Sequence, residues 1–385
     1  MSEAAQGIND VLVSSRVQEK KVPEYNDFEK LNGVLRFFGK ITSEGRLKKH
    51  LEGVSDYERP TSLRVTRAQL FKDVLKNKDD ASFKRGILAE AHERDEIALQ
   101  YLKQGEIRVN LPGLGEQMAR YTTINPVNLK EQAETDNKAP IFLIPGISND
   151  IDCVGALVQE IPYQGRKVIT AGFPESFLGK ATQEFAQAVE TSANYEPHVA
   201  FYKKAIEALL KKNTRFDLWG FSTGAAISAG ILQDPEFKKR INNLTLICPA
   251  GATDQTDKEF KSGILQERIR VFSSINSLGR YTYTDEWKNP TGQDREKFRI
   301  RKSVFDSLFK KVSKKCDWYN DMNLDSFGKI TVVMGEKDEM TKGYRAKSDF
   351  MHNPQVDVID LPKAFHSTPI MEPKEIVAKI LNSQR

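Results

Sequence analysis

Hydrophobic and polar positions divide the chain into parts with different periodicity. From Asn26 to about Gln104 apolar residues recur every three or four positions, which is typical of amphipathic helices. After Gly105 short apolar runs alternate with helical stretches, and this alternation is typical of strands joined by crossover helices in a mainly parallel sheet. Residues 1–25 are polar, and we expect them to form a flexible terminus.

Eight apolar runs predict strands, and the first two of them predict an antiparallel pair that opens the sheet. The predicted strands are Ile107–Leu111, Ala119–Ile124, Ile141–Ile144, Lys167–Thr170, Phe216–Trp219, Leu244–Ile247, Ile330–Met334 and Val356–Ile359. Helical patterns lie between them, near Val154–Glu160, His198–Lys212, Gly224–Leu232 and Lys374–Leu381.

The spacing of the strands breaks once, where a long charged helical stretch follows Ala250. We expect this stretch to form a cap over the carboxyl edge of the sheet. The predicted organisation is a flexible terminus (1–25), a helical N-terminal extension (26–104), the first part of the core (105–253), a helical cap (254–323) and the second part of the core (324–385).

Composition and charge narrow the class of protein. The chain has 385 residues, of which 39% are hydrophobic, so it can bury a core and is not a disordered chain. It lacks the long apolar run of a spanning helix and a secretory leader pattern, and we expect a cytoplasmic protein. The three cysteines, Cys153, Cys248 and Cys316, match no metal or disulfide spacing, so we expect them to be reduced.

The net charge of +5 is concentrated in the predicted cap. Residues 254–320 hold fifteen Lys and Arg against ten Asp and Glu, a surplus that equals the net charge of the chain. Because the bases alternate with acids and no aromatic stacking motif accompanies them, we predict a solvated helical face and no nucleic-acid partner. For the helical extension, packing on the core is favoured. A membrane-surface contact around Phe28–Leu51 and a partner-docking role stay open.

The segment FDLWGFSTGAAISAG carries the candidate chemistry. Gly220, Phe221, Ser222, Thr223 and Gly224 follow an apolar strand and open a helix rich in small residues, as the G-x-S-x-G nucleophile elbow requires. The nucleophilic serine sits on a strained turn, where side chains at the flanking glycines would collide with backbone. Ser222 is therefore the candidate nucleophile.

A serine nucleophile needs an imidazole that is oriented by a carboxylate, in the chain order Ser, acid, His. Asp338 follows the predicted strand ITVVM and is the candidate acid, with Glu336 and Glu339 as competitors. His366 follows the last predicted strand and is the candidate general base, whereas His352 lies in a charged helix.

These residues resemble the α/β-hydrolase superfamily, and the resemblance covers about Gly105 to Arg385. It implies an α/β-hydrolase fold with a mainly parallel eight-stranded sheet, helices on both faces and a helical cap. It also implies an oxyanion hole made by the backbone N–H of Thr223 and that of Ile147. Where many members have His-Gly, this chain has Pro145-Gly146, so Ser148 stays an alternative to Ile147. The resemblance implies no metal and no organic cofactor.

The favoured function is a serine hydrolase that cleaves a carboxylic ester or thioester of a small-molecule acyl substrate through an acyl-enzyme. Alternatives are a peptidase, a C–C bond hydrolase or a haloperoxidase-type member of the same fold, and an inactive binding scaffold. An acidic cluster in the capped pocket would favour a peptidase and an apolar pocket an esterase. Apolar cap residues that could line an acyl pocket are Ile264, Leu265, Phe272, Ile275, Phe305, Leu308 and Phe309.

Overall fold

A computed structural model describes residues 11–14, 102–126, 138–147, 154–176, 179–272, 292–320, 322, 328–371 and 373–384. The predicted helical extension therefore lies outside the described residues, except for its last three positions. The middle of the predicted cap and Ser148 also lie outside them.

In the described residues nine strands form one sheet, in the order β1-β2-β3-β5-β4-β6-β7-β8-β9. Strands β1, β2 and β3 are antiparallel to their neighbours, and the pairs from β5 to β9 are parallel. All eight predicted strands are present. The strands are β1 Val11–Ser14, β2 Leu102–Leu111, β3 Gly115–Ile124, β4 Ile141–Ile144, β5 Val168–Ala171, β6 Phe216–Phe221, β7 Ile241–Ile247, β8 Ile330–Gly335 and β9 Val356–Leu361.

The structure corrects the expected organisation at the start of the sheet. Val11–Ser14 lies in the segment predicted to be flexible but forms strand β1, which pairs antiparallel with β2. The outer edge of β2 offers unpaired N–H and C=O groups, which a short apolar run can satisfy. Strand β2 also begins at Leu102, inside the segment predicted to be helical, and extends its pairing with β3 as far as Ile124.

Helices cover both faces of the sheet, because buried side chains alternate along the strands. On β4, Phe142 and Ile144 belong to one apolar cluster, and Ile141 and Leu143 belong to the other. Ten α-helices lie in the described residues: α1 Gly155–Tyr163, α2 Gln183–Thr191, α3 Glu196–Leu209, α4 Thr223–Leu232, α5 Pro235–Arg240, α6 Asp257–Phe272, α7 Gly292–Val312, α8 Lys347–Met351, α9 Thr368–Met371 and α10 Pro373–Ser383.

The described part of the predicted cap consists of α6, α7 and the 3-10 turn Asp317–Tyr319. Helix α6 begins with a capping box: the Thr256 hydroxyl accepts from the N–H of Glu259, and the Glu259 carboxylate accepts from the N–H of Thr256. The Glu259 carboxylate also accepts from the Arg345 guanidinium at 2.8 Å. These contacts fix the start of α6 beside the loop that follows β8.

Helix α6 then crosses the carboxyl ends of β8 and β9. A Cβ built on Gly263 would lie 2.0 Å from the carbonyl oxygen of Glu339, in the loop after β8. One turn later Glu267 accepts a hydrogen bond from the backbone N–H of Ser367, after β9, at 2.7 Å. The helix therefore contacts both loops.

Candidate active site

Ser222 lies at the turn between β6 and α4 and has a backbone conformation that L residues rarely adopt. Its φ is +55° and its ψ is −119°, and its side chain is 2% exposed. The turn is held from both sides: the N–H of Ser222 donates to the carbonyl of Ile247, and the carbonyl of Ser222 accepts from the N–H of Ala250. The strained geometry is thus fixed by pairing with the end of β7.

The glycines beside Ser222 are needed for close approach of the backbone. A Cβ on Gly220 would lie 2.3 Å from the carbonyl oxygen of Gly224. A Cβ on Gly224 would lie 2.3 Å from the carbonyl oxygen of Ile144 and 2.5 Å from that of Pro145. All three distances are far shorter than a real Cβ contact. The turn therefore packs directly on the loop that follows β4.

The structure brings Ser222, His366 and Asp338 together in one hydrogen-bonded chain. In the sequence His366 lies 144 positions after Ser222 and 28 positions after Asp338. His366 Nε2 lies 3.0 Å from Ser222 Oγ, and His366 Nδ1 lies 2.9 Å from Asp338 Oδ2. Since a carboxylate only accepts, Nδ1–H donates to Asp338 and Nε2 accepts from the serine hydroxyl. All three side chains are buried.

The loop after β8 holds the Asp338 carboxylate in place. One oxygen accepts from the backbone N–H groups of Met340 and Thr341, and the other accepts from the Thr341 hydroxyl at 2.7 Å as well as from His366. Burial by itself would raise the pKa of Asp338, but the charge and hydrogen bond of His366 and the donors of Thr341 outweigh it and lower the pKa. Asp338 is thus kept as an anion.

The competitors for these positions lie elsewhere. Glu336 is exposed and accepts from the N–H of Lys363. Glu339 pairs with Lys342 at 3.3 Å, and the exposed His352 contacts the carbonyl of Ser348 in its own helix.

The two candidate oxyanion donors lie on segments that meet at the elbow. Thr223 is the first residue of α4, where N–H groups have no partner within the helix and the helix dipole favours negative charge. Ile147 follows Pro145 and Gly146 in the loop that Gly224 contacts. Both predicted donors are therefore close in the fold to Ser222.

Apolar side chains surround this loop. Ile147 packs with the cap residues Ile264 and Phe309 and with Met340 against a small cluster of Ala250, Phe260 and Val312. Other residues expected to line the pocket behave differently: Leu308 is buried in the main core and Leu265 is 60% exposed. Phe305 stacks on Phe309, whereas Ile275 and the side chain of Phe272 lie outside the described residues.

The structure adds two residues that sequence reasoning missed. Cys248 directly follows β7, is buried, has a φ of +45° and lies beside Asp338. Burial first, and then the charges of Asp338 and Glu267, raise the pKa of its thiol, so we expect it to be protonated. Glu267, on α6, is 6% exposed, and its second oxygen, Oε2, has no hydrogen-bond partner among the described residues.

Cys248, Asp338 and His366 also form the group of possible metal ligands in the described part of the chain, with ligand atoms within 4.8 Å of one another. Asp338 and His366 are joined by a hydrogen bond, which accounts for their proximity. Cys248 and Cys316 are free thiols, as predicted, and Cys153 lies outside the described residues.

The basic surplus of the cap is placed away from these residues. Four lysines at the end of α7 and just beyond it line a cavity of about 260 Å³ beside Tyr195, and Lys310 and Lys314 are exposed. The cavity contains none of Ser222, Asp338 and His366. Another buried histidine, His198, contacts the buried Glu175 in the core at 3.2 Å.

No protein-family model matches the sequence, and no curated protein matches it significantly. Solved structures are similar to it. A serine hydrolase involved in carbazole degradation (the CarC enzyme) has a TM-score of 0.52 and 17% identity, over 73% of this chain and 99% of that one. A carboxylesterase of the thaumarchaeon Nitrososphaera gargenis (TM-score 0.49, 14% identity, 72% and 97% covered) and an esterase of Thermogutta terrifontis (0.44, 14%, 72% and 97%) are also similar.

The likeness to the CarC enzyme concerns the arrangement of the sheet and its helices. None of the described helices is both long and apolar enough to span a bilayer.

Proposed function

Since this chain has the α/β-hydrolase fold, we propose that it is a serine hydrolase that cleaves carboxylic esters or thioesters of small-molecule acyl substrates. The observation that carries the proposal is the hydrogen-bonded chain from Ser222 through His366 to Asp338, built at a strained turn between strand and helix. The likeness of the fold to that of a serine hydrolase supports it.

In the proposed reaction, Ser222 Oγ attacks the substrate carbonyl carbon while His366 Nε2 accepts the hydroxyl proton. The resulting imidazolium donates through Nδ1 to Asp338, whose charge stabilises it. Collapse of the tetrahedral intermediate breaks the bond to the leaving group, which takes the proton from Nε2. Water then attacks the acyl-enzyme while His366 Nε2 accepts its proton. Collapse of the second tetrahedral intermediate breaks the bond to Ser222 Oγ and releases the acid, and Oγ takes the proton back from Nε2.

Charge that develops on the carbonyl oxygen needs hydrogen-bond donors. We assign this role to the backbone N–H groups of Thr223 and Ile147, on the two segments that Gly224 keeps in contact. Removal of one such donor typically lowers turnover by a factor of about 10²–10³. The apolar group of Ile147, Ile264, Phe309 and Met340 supports an acyl pocket beside these donors.

The test combines hydrolysis of p-nitrophenyl esters, from acetate to palmitate, with fluorophosphonate labelling. We expect the wild type to be labelled and to turn esters over, and Ser222→Ala to lose both. Ser348→Ala is the matched control, because Ser348 is exposed on α8, and it should behave like the wild type.

Two other results would contradict the proposal in different ways. Labelling at Ser222 without turnover of any ester or thioester would move the substrate to peptides or C–C bonds. Absence of both labelling and turnover in folded protein would favour a binding scaffold that has lost its activity.

A further inference from the structure

Glu267 is a buried carboxyl group of the cap that the proposed reaction does not use. It is 6% exposed, and one of its oxygens accepts from the N–H of Ser367 at 2.7 Å, directly after His366. Its other oxygen, Oε2, is buried and has no hydrogen-bond partner among the described residues. Buried polar groups are nearly always paired, because an unpaired one costs about 1–3 kcal/mol.

The face of α6 that carries Glu267 is the face that meets the candidate active site. Ile264 lies three positions earlier, on the same side of the helix, and packs in one cluster with Ile147 of the candidate oxyanion loop. Leu265, on another side, is 60% exposed. Glu267 therefore lies on the side of α6 that meets the oxyanion loop and the segment after His366.

Two acidic side chains lie near one buried thiol. The charges of Asp338 and of Glu267 both raise the pKa of the Cys248 thiol, which places both acids in its neighbourhood. Two acids close together in a buried site favour a cation and oppose a further anion. A carboxylate only accepts hydrogen bonds, so a nitrogen cation that donates them is the best partner for the free oxygen.

We propose that Glu267 is a substrate-binding residue, and that the substrates are esters with an ammonium group a few bonds from the scissile carbonyl. This inference rests on the proposed function and narrows its substrate class. The ammonium donates to Glu267 Oε2 while the scissile carbonyl lies between Ser222 and the oxyanion donors. The ammonium can lie on the acyl side or on the leaving-group side of the ester, and its position decides which half of the ester Glu267 recognises.

The test uses pairs of esters that differ only by an ammonium in place of a methyl group. The acyl pair is p-nitrophenyl β-alaninate and p-nitrophenyl butanoate, and the leaving-group pair is 2-aminoethyl butanoate and propyl butanoate. A hydrogen bond to a charged group contributes about 1.5–3 kcal/mol, so we expect kcat/KM of the ammonium ester to exceed that of its partner by about ten- to a hundredfold in one pair.

Glu267→Gln keeps an oxygen that can accept from Ser367 and replaces the free oxygen by a donor NH2, so the ratio within that pair should fall to about one or below. Glu259→Gln is the matched control on the same helix. Its carboxylate contacts Arg345 outside the candidate site, and the ratio should stay at the wild-type value.

A wild-type ratio near or below one in both pairs would overturn the inference, and so would an unchanged ratio in Glu267→Gln that is still labelled by fluorophosphonate. These results leave the proposed function standing, because neutral esters are still hydrolysed. Absence of turnover and labelling with every ester would overturn both.

Discussion

Replacement of Gly263 by alanine tests whether helix α6 and the loop after β8 fit together as the structure has them. This loop carries Asp338 and Glu339 and is called the acid loop below. In an isolated helix this change is favourable, because alanine is about 0.8–1.0 kcal/mol better than glycine in a helix interior. Here the new Cβ would lie 2.0 Å from the Glu339 carbonyl oxygen, and next 2.6 Å from its carbonyl carbon. Propensity and packing therefore oppose each other.

The packing cost should win. Real Cβ atoms essentially never come closer than 3.0 Å to another heavy atom, so α6 and the acid loop must separate by about 1 Å. Both contacting atoms belong to backbone and cannot turn away. Overpacking of this kind costs about 1–3 kcal/mol, so the variant should be less stable than the wild type by up to about 2 kcal/mol after the gain in propensity.

Turnover should also fall, because Glu339 is the neighbour of Asp338 in the chain. A displacement of about 1 Å at a catalytic group can cost about a hundredfold in rate. Urea unfolding and kcat with a p-nitrophenyl ester measure the two effects. Ser262→Ala, at the neighbouring exposed position of α6, gives the propensity change without the contact and should keep wild-type turnover. A Gly263→Ala protein that is more stable than the wild type and equally active would refute the reasoning.

The remaining predictions concern the acids, the thiol and the elbow. Because the pKa of Asp338 is lower in the folded protein than the unfolded value of about 4, its carboxylate stabilises the fold above that pH, and this stabilisation is lost as the pH falls. The difference in free energy of unfolding between the wild type and Asp338→Asn should therefore shrink below pH 4. The pKa of Glu259 is lowered to about 2, so the difference in free energy of unfolding between the wild type and Glu259→Gln should disappear as the pH falls from 4.5 to 2. Native protein should leave Cys248 unmodified by iodoacetamide, as mass spectrometry would show. Gly224→Ala should lower ester turnover at least tenfold and also lower the melting temperature; an unchanged rate would contradict the close fit of the elbow.

The sequence predicts the sheet well because its strands are apolar runs between turn signals. All eight predicted strands are found, and the predicted α/β-hydrolase fold is confirmed. Several strand ends extend beyond the predicted limits, by one to five residues, where paired neighbours satisfy more backbone. The short helices α2, α5 and α9 were missed, since four to nine residues hold too few turns for a periodic signal.

The candidate triad was predictable for a different reason. Each of its residues lies in the turn or loop that follows a strand, and parallel strands bring their carboxyl ends to one edge of the sheet. Cys248 follows β7 in the same way, so its position in the sequence could have placed it near the candidate site. It was missed because a cysteine at this position suggests no reaction. Glu267 had no signal, because it is one of many charged residues in a helix whose docking on the sheet depends on tertiary contacts.

The contacts of helix α6 bear on how this protein could be redesigned. Its backbone meets the acid loop at Gly263, and its Glu267 side chain meets the loop that carries His366. A cap attached in this way is not an exchangeable module. In a chimera that carries the corresponding helices of another protein of this fold, the loops that hold Asp338 and His366 would lose their support unless the graft also supplied a glycine and a carboxylate at these two positions. Helix α6 is therefore open to single substitutions and closed to replacement as a whole.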